Sequence, residues 1–464
     1  MNHRTAAPTA AQRLLTAFEG VMGIPLPVHV RCWDGSEAGP ESNVTVVFRN
    51  RRAIRRVLWS PNELGLVRAY VAGDLEIEGD VFHLLALPDL VGRLEALSLR
   101  GTERRTVVRA LPTFVRHGGH RTIARSLATF VRLGGLGLPP RPPSVEVPRR
   151  RGTKHSKERD ASSVSHHYDV GNDFYRLFLG PTMVYSCGYW DQRPEDPDAR
   201  GSLNEAQIDK LDLVCRKLRL ESGMRLLDVG CGWGSMAIHA AQKYNVSVVG
   251  VTLSHEQARW ARSRVAEAGL SDQVEIRVQD YRDVTDGPYD VISSIGMSEH
   301  VGASALPGYA EQLFDLLRPR GLLLNHAIAS VRSRADAGYS PGLIENYIFP
   351  DGEVLPLSRT IDAFERAGLE VRDTEALREH YALTLRAWVD RLRGSWDHAV
   401  ELVGAERART WLLYLAASAL GFEEKGRLTI HQVLAVRPSD DGGSGLPRTR
   451  AMWLGADNAP RNCS

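Results

Sequence analysis

Hydrophobic positions in the second half of the chain follow two rhythms. Short apolar runs stand at Leu226–Val229 and Val246–Val251, and further strand-like stretches at Val274–Val278, Tyr289–Ile295 and Leu322–Asn325. Around them, Glu205–Leu218, Ser235–Tyr244, Ser254–Ala268 and Tyr309–Leu317 carry apolar residues at helical spacing. A run apolar on both faces predicts a buried strand, and the 3.6-residue rhythm predicts an amphipathic helix. Their alternation predicts an α/β domain with a mostly parallel sheet and right-handed crossovers. Ser254 followed by Gln257 predicts a capping box at one helix start. Beyond Ser330 the pattern loosens into an insert, two or three helices and a last strand, His431–Val436.

The amino-terminal part repeats the mixture on a smaller scale. A helix is predicted at Ala11–Val21, strands at Val28–Cys32 and Val44–Phe48, and helices at Ile54–Trp59 and Glu63–Val71. A turn at Ala72–Asp74 then leads into Leu75–Ile77. Residues 1–98 thus read as a small α/β accessory domain without a catalytic constellation.

Residues 99–137 have a different texture, an internal repeat. RTVVRALPTFVRHGG (105–119) matches RTIARSLATFVRLGG (121–135). In the second copy Arg121, Arg125 and Arg132 fall within about 40° on a helical wheel, opposite Ile123, Ala124, Leu127, Phe130 and Val131. Paired glycines end each copy, and Pro112 predicts a kink in the first. Two readings are open: a basic amphipathic pair drawn to an anionic membrane surface, or a helical hairpin packed on its own domain with solvated arginines. Residues 138–163 are rich in proline and then in charge, and read as a linker. The large domain spans 164–437, and 438–464 reads as a disordered tail.

Composition narrows the class. The chain has 464 residues and a net charge of +2, so no overall charge bias points to nucleic acid. Only six of the 58 basic residues are lysine, which discounts any single arginine cluster. Five cysteines without C-x-x-C spacing argue against a disulfide framework and against a zinc site. The amino terminus lacks a secretory apolar core, and no run of ~18 apolar residues exists to span a bilayer. The expectation is a cytoplasmic protein, soluble or peripheral at the inner membrane surface.

The chemistry gathers at MRLLDVGCGWG (224–234), a strand, a glycine turn and a helix start. A hydride-transfer enzyme would show G-x-G-x-x-G and an acid ~20 residues on. Here the third glycine comes one residue early, and the second strand ends at Thr252, Leu253 and Ser254 without an acid. No Gly-Lys-Ser/Thr follows, which excludes a Walker-type phosphate loop. The D-x-G-x-G-x-G form, Asp228 to Gly234, resembles the first motif of class I methyltransferases that use S-adenosylmethionine.

The flanks make the resemblance specific. HYDVGNDFY (167–175), YSCGYW (185–190), LLDVGCGWG (226–234), GVTLSHEQ (250–257), QDYRD (279–283), GMSEHVG (296–302), NHAIAS (325–330), NYIFPDG (346–352) and HYALTL (380–385) occur in this order. Together they resemble the cyclopropane-fatty-acyl-phospholipid synthases and the mycolic acid cyclopropane synthases. The resemblance implies a Rossmann-like methyltransferase domain. It also implies that the amino-terminal domain is the accessory, lipid-handling domain of the phospholipid-acting members. For S-adenosylmethionine it implies a site of Tyr185, Ser186, Asp228, Gly230, Gly232, Gly234, Thr252, Leu253 and Gln257, with Tyr281 and Arg282 beside the adenine. For a bicarbonate ion near the transferred methyl it implies Cys187, Glu299, His326, Tyr381 and the backbone of Ile328. The expected partner is the phospholipid bilayer, and relatives imply a homodimer. The aromatic runs Tyr185–Trp190 and Tyr347–Phe349 are expected to wall a dry pocket. Singly, each of these residues also has a plain structural reading, as core, helix start or ion pair; the ordered set carries the resemblance.

Three positions depart from the family pattern. Ser418 stands where mycolic acid relatives have a late-helix cysteine, so a nucleophilic thiol is not available there. Ser298 and Asn325 replace apolar residues beside Glu299 and His326. Polar neighbours there bear on where a proton is lost, and hence on whether a ring forms or a methylene branch. The branch is the route of relatives that make 10-methyl chains with a separate reductase.

Overall fold

The computed structural model describes residues 7–23, 25–60, 63–85, 125–126, 128–147, 156–157, 159–160, 170–190, 202–331, 343–349, 351–423 and 428–453. The first copy of the basic repeat and the start of the second lie outside them. The chain forms two compact units. One is drawn from 1–148, 340–348 and 396–420, the other from 149–339, 349–395 and 421–464.

In the amino-terminal unit the strands are β1 (His29–Cys32), β2 (Glu37–Ala38), β3 (Val44–Phe48) and β4 (Leu75–Gly79), in the order β2-β1-β3-β4. Helices α1 (Ala10–Met22), α2 (Arg52–Trp59), α3 (Glu63–Val71) and α4 (Val81–Leu85) accompany them. Thr9 caps α1 in a reciprocal box with Gln12. The predicted turn places Asp74 in the interior, where Arg56 donates to it at 2.7 Å and Arg52 at 3.0 Å. The end of the second basic repeat packs in this unit: Phe130 is buried against the Phe18 ring at 5.0 Å, while Arg125 and Arg132 are exposed. Of the expected apolar face, Phe130 packs and Val131 is 40% exposed, while Ile123, Ala124 and Leu127 lie outside the described residues.

The large domain is not the unbroken block expected from 164 to 437. Ile344–Ile348, Trp396–Val403 and most of Ala405–Glu423 belong to the amino-terminal unit. There Glu406 accepts from the Ser144 hydroxyl at 2.6 Å, Arg409 donates to Glu76 at 3.0 Å and Tyr347 donates to Glu146 at 2.9 Å. These polar bonds join segments far apart in sequence, which local periodicity does not register.

The second unit carries a seven-stranded sheet: β5 (Arg225–Val229), β6 (Ser247–Thr252), β7 (Val274–Val278), β8 (Tyr289–Ile295), β9 (Leu317–Ser330), β10 (Glu370–Ala376) and β11 (Leu428–Val436). The order is β10-β11-β9-β8-β5-β6-β7, and among these strands β11 alone runs against the rest. Helices α5 (Asn172–Leu179), α6 (Leu203–Lys217), α7 (Ser235–Tyr244), α8 (His255–Glu267), α9 (Ser298–Leu316), α10 (Leu357–Arg366) and α11 (Arg378–Gly394) complete it. The fold is the Rossmann-like one expected. Strand order reverses between β5 and β8, and that switch point opens a crevice at the carboxyl end of β5.

Three differences from the sequence reading matter here. β9 runs past Asn325 to Ser330 because β11 pairs with it residue by residue, from Leu322 opposite Val436 to Ser330 opposite Leu428. β10 reads EVRDTEA, charged and only partly buried, as an edge strand protected from further pairing. The described parts of the linker and of the tail make specific contacts. Arg159 pairs with Asp351 at 2.6 Å, and Asp160 accepts from Arg282 at 3.0 Å. In the tail, Asp441 accepts from Gly443 N–H at 3.1 Å, Leu446 packs on the core, and Arg450 reaches Asp373 at 3.2 Å. Among the described residues no helix is long and apolar enough to cross a membrane.

Candidate active site

The glycine turn follows β5 directly. Gly230, Gly232 and Gly234 have φ of 76°, 54° and 80°, the left-handed region that other residues enter at a cost. At Gly230 space adds a second demand, since a Cβ would lie 2.5 Å from Met297 Sδ. The N–H groups of Gly230 and Cys231 both donate to the Val251 carbonyl at 3.0 Å, which ties the turn to β6.

The turn forms part of a cavity wall. Ten of the eleven expected cofactor residues line that cavity: Tyr185, Ser186, Asp228, Gly230, Gly232, Thr252, Leu253, Gln257, Tyr281 and Arg282. Gly234 does not; it caps the amino end of α7. Asp228 is buried and accepts from the Ser293 hydroxyl at 2.7 Å. Burial pushes its carboxyl up to about 6, against the pull of Ser293 and the Lys210 ammonium. The expected capping box on α8 is half formed. Ser254 Oγ accepts from Gln257 N–H at 3.2 Å, but the Gln257 side chain accepts from Thr252 Oγ1 at 2.8 Å instead of reaching back. Its NH₂ group is thereby left to the cavity it lines. Asp280 caps the short turn Tyr281–Asp283 and holds Arg282 Nε at 2.8 Å, while Tyr281 sits edge-on to Tyr309 at 5.4 Å.

The five residues expected around the reacting carbon do not line that cavity; buried or partly buried beside it, they are linked through backbone hydrogen bonds and strand pairing. His326 and Ile328 lie on one face of β9. The Ile328 N–H donates to Glu299 Oε1 at 2.7 Å. Ile328 stands opposite Ile430, whose carbonyl accepts from Leu377 N–H at 2.9 Å. The Leu377 carbonyl in turn accepts from Tyr381 N–H at 3.1 Å and lies 3.7 Å from the Cys187 thiol. Their environments differ. Glu299 Oε2 and His326 Nε2 are buried without a hydrogen-bond partner. Burial raises the Glu299 carboxyl to about 7, against the pull of the Ile328 N–H. Burial holds His326 well below the usual imidazole range, and the cations of Lys210 and Lys217 add to this. The Cys187 thiol faces the carbonyls of Gly188 and Leu377 and is pushed up by burial, so it is neutral. Tyr381 packs on Phe422 at 4.7 Å and edge-on to Trp388.

Aromatic walls are present but not all as expected. Tyr185 lies against Tyr175, Phe178 and Trp388 with centroids 5.4–6.3 Å apart. Phe349 packs on His300 at 5.4 Å, whereas Tyr347 belongs to the amino-terminal unit. The two polar departures answer each other: Ser298 Oγ donates to Asn325 Oδ1 at 2.9 Å, and Tyr309 donates to Ser294 Oγ at 2.6 Å alongside.

Sequence reasoning missed a polar stripe on α6. Gln207, Lys210 and Lys217 recur at helical spacing and all are buried. Gln207 donates to the Ser186 carbonyl at 2.8 Å, and Lys210 to the Ser186 hydroxyl at 3.0 Å. Burial lowers Lys210 to about 8, although the Asp228 carboxylate favours its charge. Lys217 donates to Gln432 Oε1 at 2.8 Å, and Gln432 Nε2 lies 3.1 Å from His326 Nδ1. A faint signal was available, in that two of six lysines in an arginine-rich chain share one helix face with a glutamine.

Residues 155–433 match the family model described as mycolic acid cyclopropane synthetase. A probable fatty acid methyltransferase of Mycobacterium tuberculosis is 41% identical over 437 residues, spanning 92% of this chain and 95% of that protein. The cyclopropane-fatty-acyl-phospholipid synthase of Escherichia coli K12 is 38% identical over 287 residues, 62% of this chain and 71% of that one. Among solved structures, a mycolic acid cyclopropane synthase complexed with SAH and CTAB superposes with a TM-score of 0.55 at 33% identity, covering 60% of this chain and 98% of the other.

Proposed function

This chain belongs to the mycolic acid cyclopropane synthetase family and is an S-adenosylmethionine-dependent methyltransferase; from that premise we propose that it adds a methylene unit across the cis double bond of unsaturated acyl chains in membrane phospholipids, closing a cyclopropane ring. S-adenosylmethionine supplies an electrophilic methyl when bound in the cavity at the glycine turn. The observation that carries the reading is the pair of buried, unpartnered atoms Glu299 Oε2 and His326 Nε2. An alkene is a weak nucleophile, and its methylation leaves a carbocation on the acyl chain. The ring closes only when the new methyl loses a proton. Glu299, raised to about 7, is suited to receive that proton, directly or through a bound anion, near neutral pH. Its dry surroundings strengthen its field and keep water from quenching the cation. Tyr185, Tyr381 and Trp388 offer π faces to the charge.

We further propose that a bicarbonate ion is held by Glu299 Oε2 and His326 Nε2, each of which has a hydrogen bond to give or receive. Held there, bicarbonate would supply a base close to the transferred methyl. The amide of Ile328 is spoken for by Glu299, and the thiol of Cys187 by two carbonyls, so Glu299, His326 and Tyr381 would form the core of that set.

A second reading keeps cofactor and substrate but yields a methylene branch, to be reduced by a separate enzyme. The buried Ser298–Asn325 pair beside Glu299 favours it, as does the name of the full-length mycobacterial relative, a probable fatty acid methyltransferase. Both products add CH₂. Gas chromatography of fatty methyl esters from an expressing host, before and after mild hydrogenation, separates them: a methylene becomes a methyl branch and a ring resists. The first reading expects a CH₂-heavier peak that survives hydrogenation. A peak that shifts supports the second, and no CH₂ addition to oleate-containing phospholipid removes both.

As part of the same proposal, the enzyme works as a peripheral protein at the cytoplasmic face of the membrane. Trp59, Leu136 and Leu138 are 50%, 71% and 85% exposed, and Arg51, Arg55 and Arg132 lie among them on the same stretch of the amino-terminal unit. Apolar tips among arginines suit an anionic bilayer surface. Charge reversal of Arg121, Arg125 and Arg132 to Glu is expected to weaken sedimentation with phosphatidylglycerol vesicles; equal sedimentation would leave that repeat with a packing role only.

A further inference from the structure

The chain Lys217–Gln432–His326 has a consequence for the chemistry of the site. Lysine has three donors and no acceptor, so the Gln432 oxygen must face Lys217 Nζ, 2.8 Å away. The amide NH₂ then faces His326 Nδ1 at 3.1 Å. An NH₂ group can only donate, so Nδ1 must be bare. The ring proton therefore sits on Nε2, the nitrogen that is buried without a partner. This assignment holds for the ammonium form of Lys217, which burial disfavours and the Glu375 and Asp373 carboxylates favour. Lys217 is itself anchored: it is 2% exposed, it also donates to Glu375, and Asp373 lies 4.0 Å away. Register supports the arrangement, because Gln432 and His326 are direct partners across the β9–β11 ladder.

We propose that Lys217 and Gln432 are positioning residues that lock His326 as a neutral imidazole with its proton on Nε2, a fixed hydrogen-bond donor for the oxyanion that the functional reading places beside it. The proposal rests on the functional reading above and divides its labour. His326 donates to an oxyanion and does not take the proton, and Glu299 is the accepting side of the pair. The groups facing His326 agree, since Lys210, Lys217 and His431 all oppose a second proton on the ring. An imidazolium would also set an Nδ1–H against the Gln432 NH₂. Orienting partners of this kind change activity by roughly 10- to 100-fold in other enzymes without touching substrate.

The test has two arms on the full-length chain. With ¹⁵N-histidine labelling, the His326 signals, assigned by their loss in His326→Asn, should show a pyridine-type Nδ1 and a pyrrole-type Nε2 at pH 7. A protonated Nδ1, or an imidazolium, would overturn the proposal. In the second arm, Gln432→Glu puts a carboxylate on Nδ1, which draws the proton there and favours the imidazolium. Turnover should fall roughly 10- to 100-fold, with S-adenosylmethionine affinity within about threefold of the parent. Turnover equal to the parent would overturn the positioning role. If Gln432→Glu fails to fold, the nitrogen signals of the parent protein still decide the tautomer. If the parent adds no CH₂ to phospholipid, the functional reading fails while the tautomer is still decided by its own readout.

Discussion

The cofactor cavity and the proposed reaction side are built on different terms. Over β5, β6 and β7 the charged groups at the cavity are answered, Asp228 by Ser293 and Arg282 by Asp280 and Asp160, and Thr252 is answered by Gln257. On the reaction side, over β8, β9 and β11, Glu299 and His326 each keep a buried atom without a partner. A binding cradle gains from being satisfied before its ligand arrives. A site that must take a proton from a cation gains from an unsatisfied group, and the fold bears the burial energy of that group.

That contrast predicts opposite signatures for mutations on the two sides. The largest effect should follow Glu299→Gln, which keeps shape and removes the base. Turnover is expected to fall by roughly 10²- to 10⁴-fold while S-adenosylmethionine affinity, read by calorimetry, stays near the parent's. The same substitution should stabilise the protein. A carboxyl at about 7 when folded and near 4.5 when unfolded loses stability as pH rises between those values, by up to about 3 kcal/mol above pH 7. Glu299→Gln should therefore unfold at higher denaturant than the parent at pH 8, and the gap should close towards pH 4.5. A parent equal to the variant at both pH values would deny the buried, strained carboxyl. On the cofactor side, Gly230→Ala meets both a left-handed φ of 76° and Met297 Sδ at 2.5 Å. It should weaken S-adenosylmethionine binding by about 1–3 kcal/mol. Smaller still, Gln257→Leu removes the acceptor of the Thr252 hydroxyl proton, leaving that oxygen bonded to Ser254 N–H, and takes the amide from the cavity. It should weaken binding by about 1 kcal/mol and leave turnover at saturating cofactor unchanged. A turnover defect in Gln257→Leu, or an affinity defect in Glu299→Gln, would blur the division.

The same division governs what was legible in the sequence. The cofactor side is local: Asp228 to Gly234, Thr252 to Gln257 and Asp280 to Arg282 each lie within a few residues of one another, so spacing alone reveals the turn and the caps. Beneath it β5 and β6 are largely buried runs and β7 alternates apolar and charged residues, and both patterns are plain. The reaction side is assembled by register. Nothing near Gln432 in sequence marks it as the partner of His326, and Lys210 and Lys217 look like the solvent face of α6 until the sheet covers them. β10 hides because its charges alternate as they would in a loop. The reading of Gln257 as a capping-box residue erred for a related reason, since a buried Thr252 hydroxyl outbid the helix end for its side chain.

The most direct test of a buried base that removes a proton from the transferred methyl uses S-adenosylmethionine with a fully deuterated methyl group. Incubated with oleate-containing phospholipid vesicles, the purified protein should yield acyl chains heavier by one CD₂ unit, one deuteron having been lost. Retention of all three deuterons, or no transfer of label to the acyl chain, would contradict it.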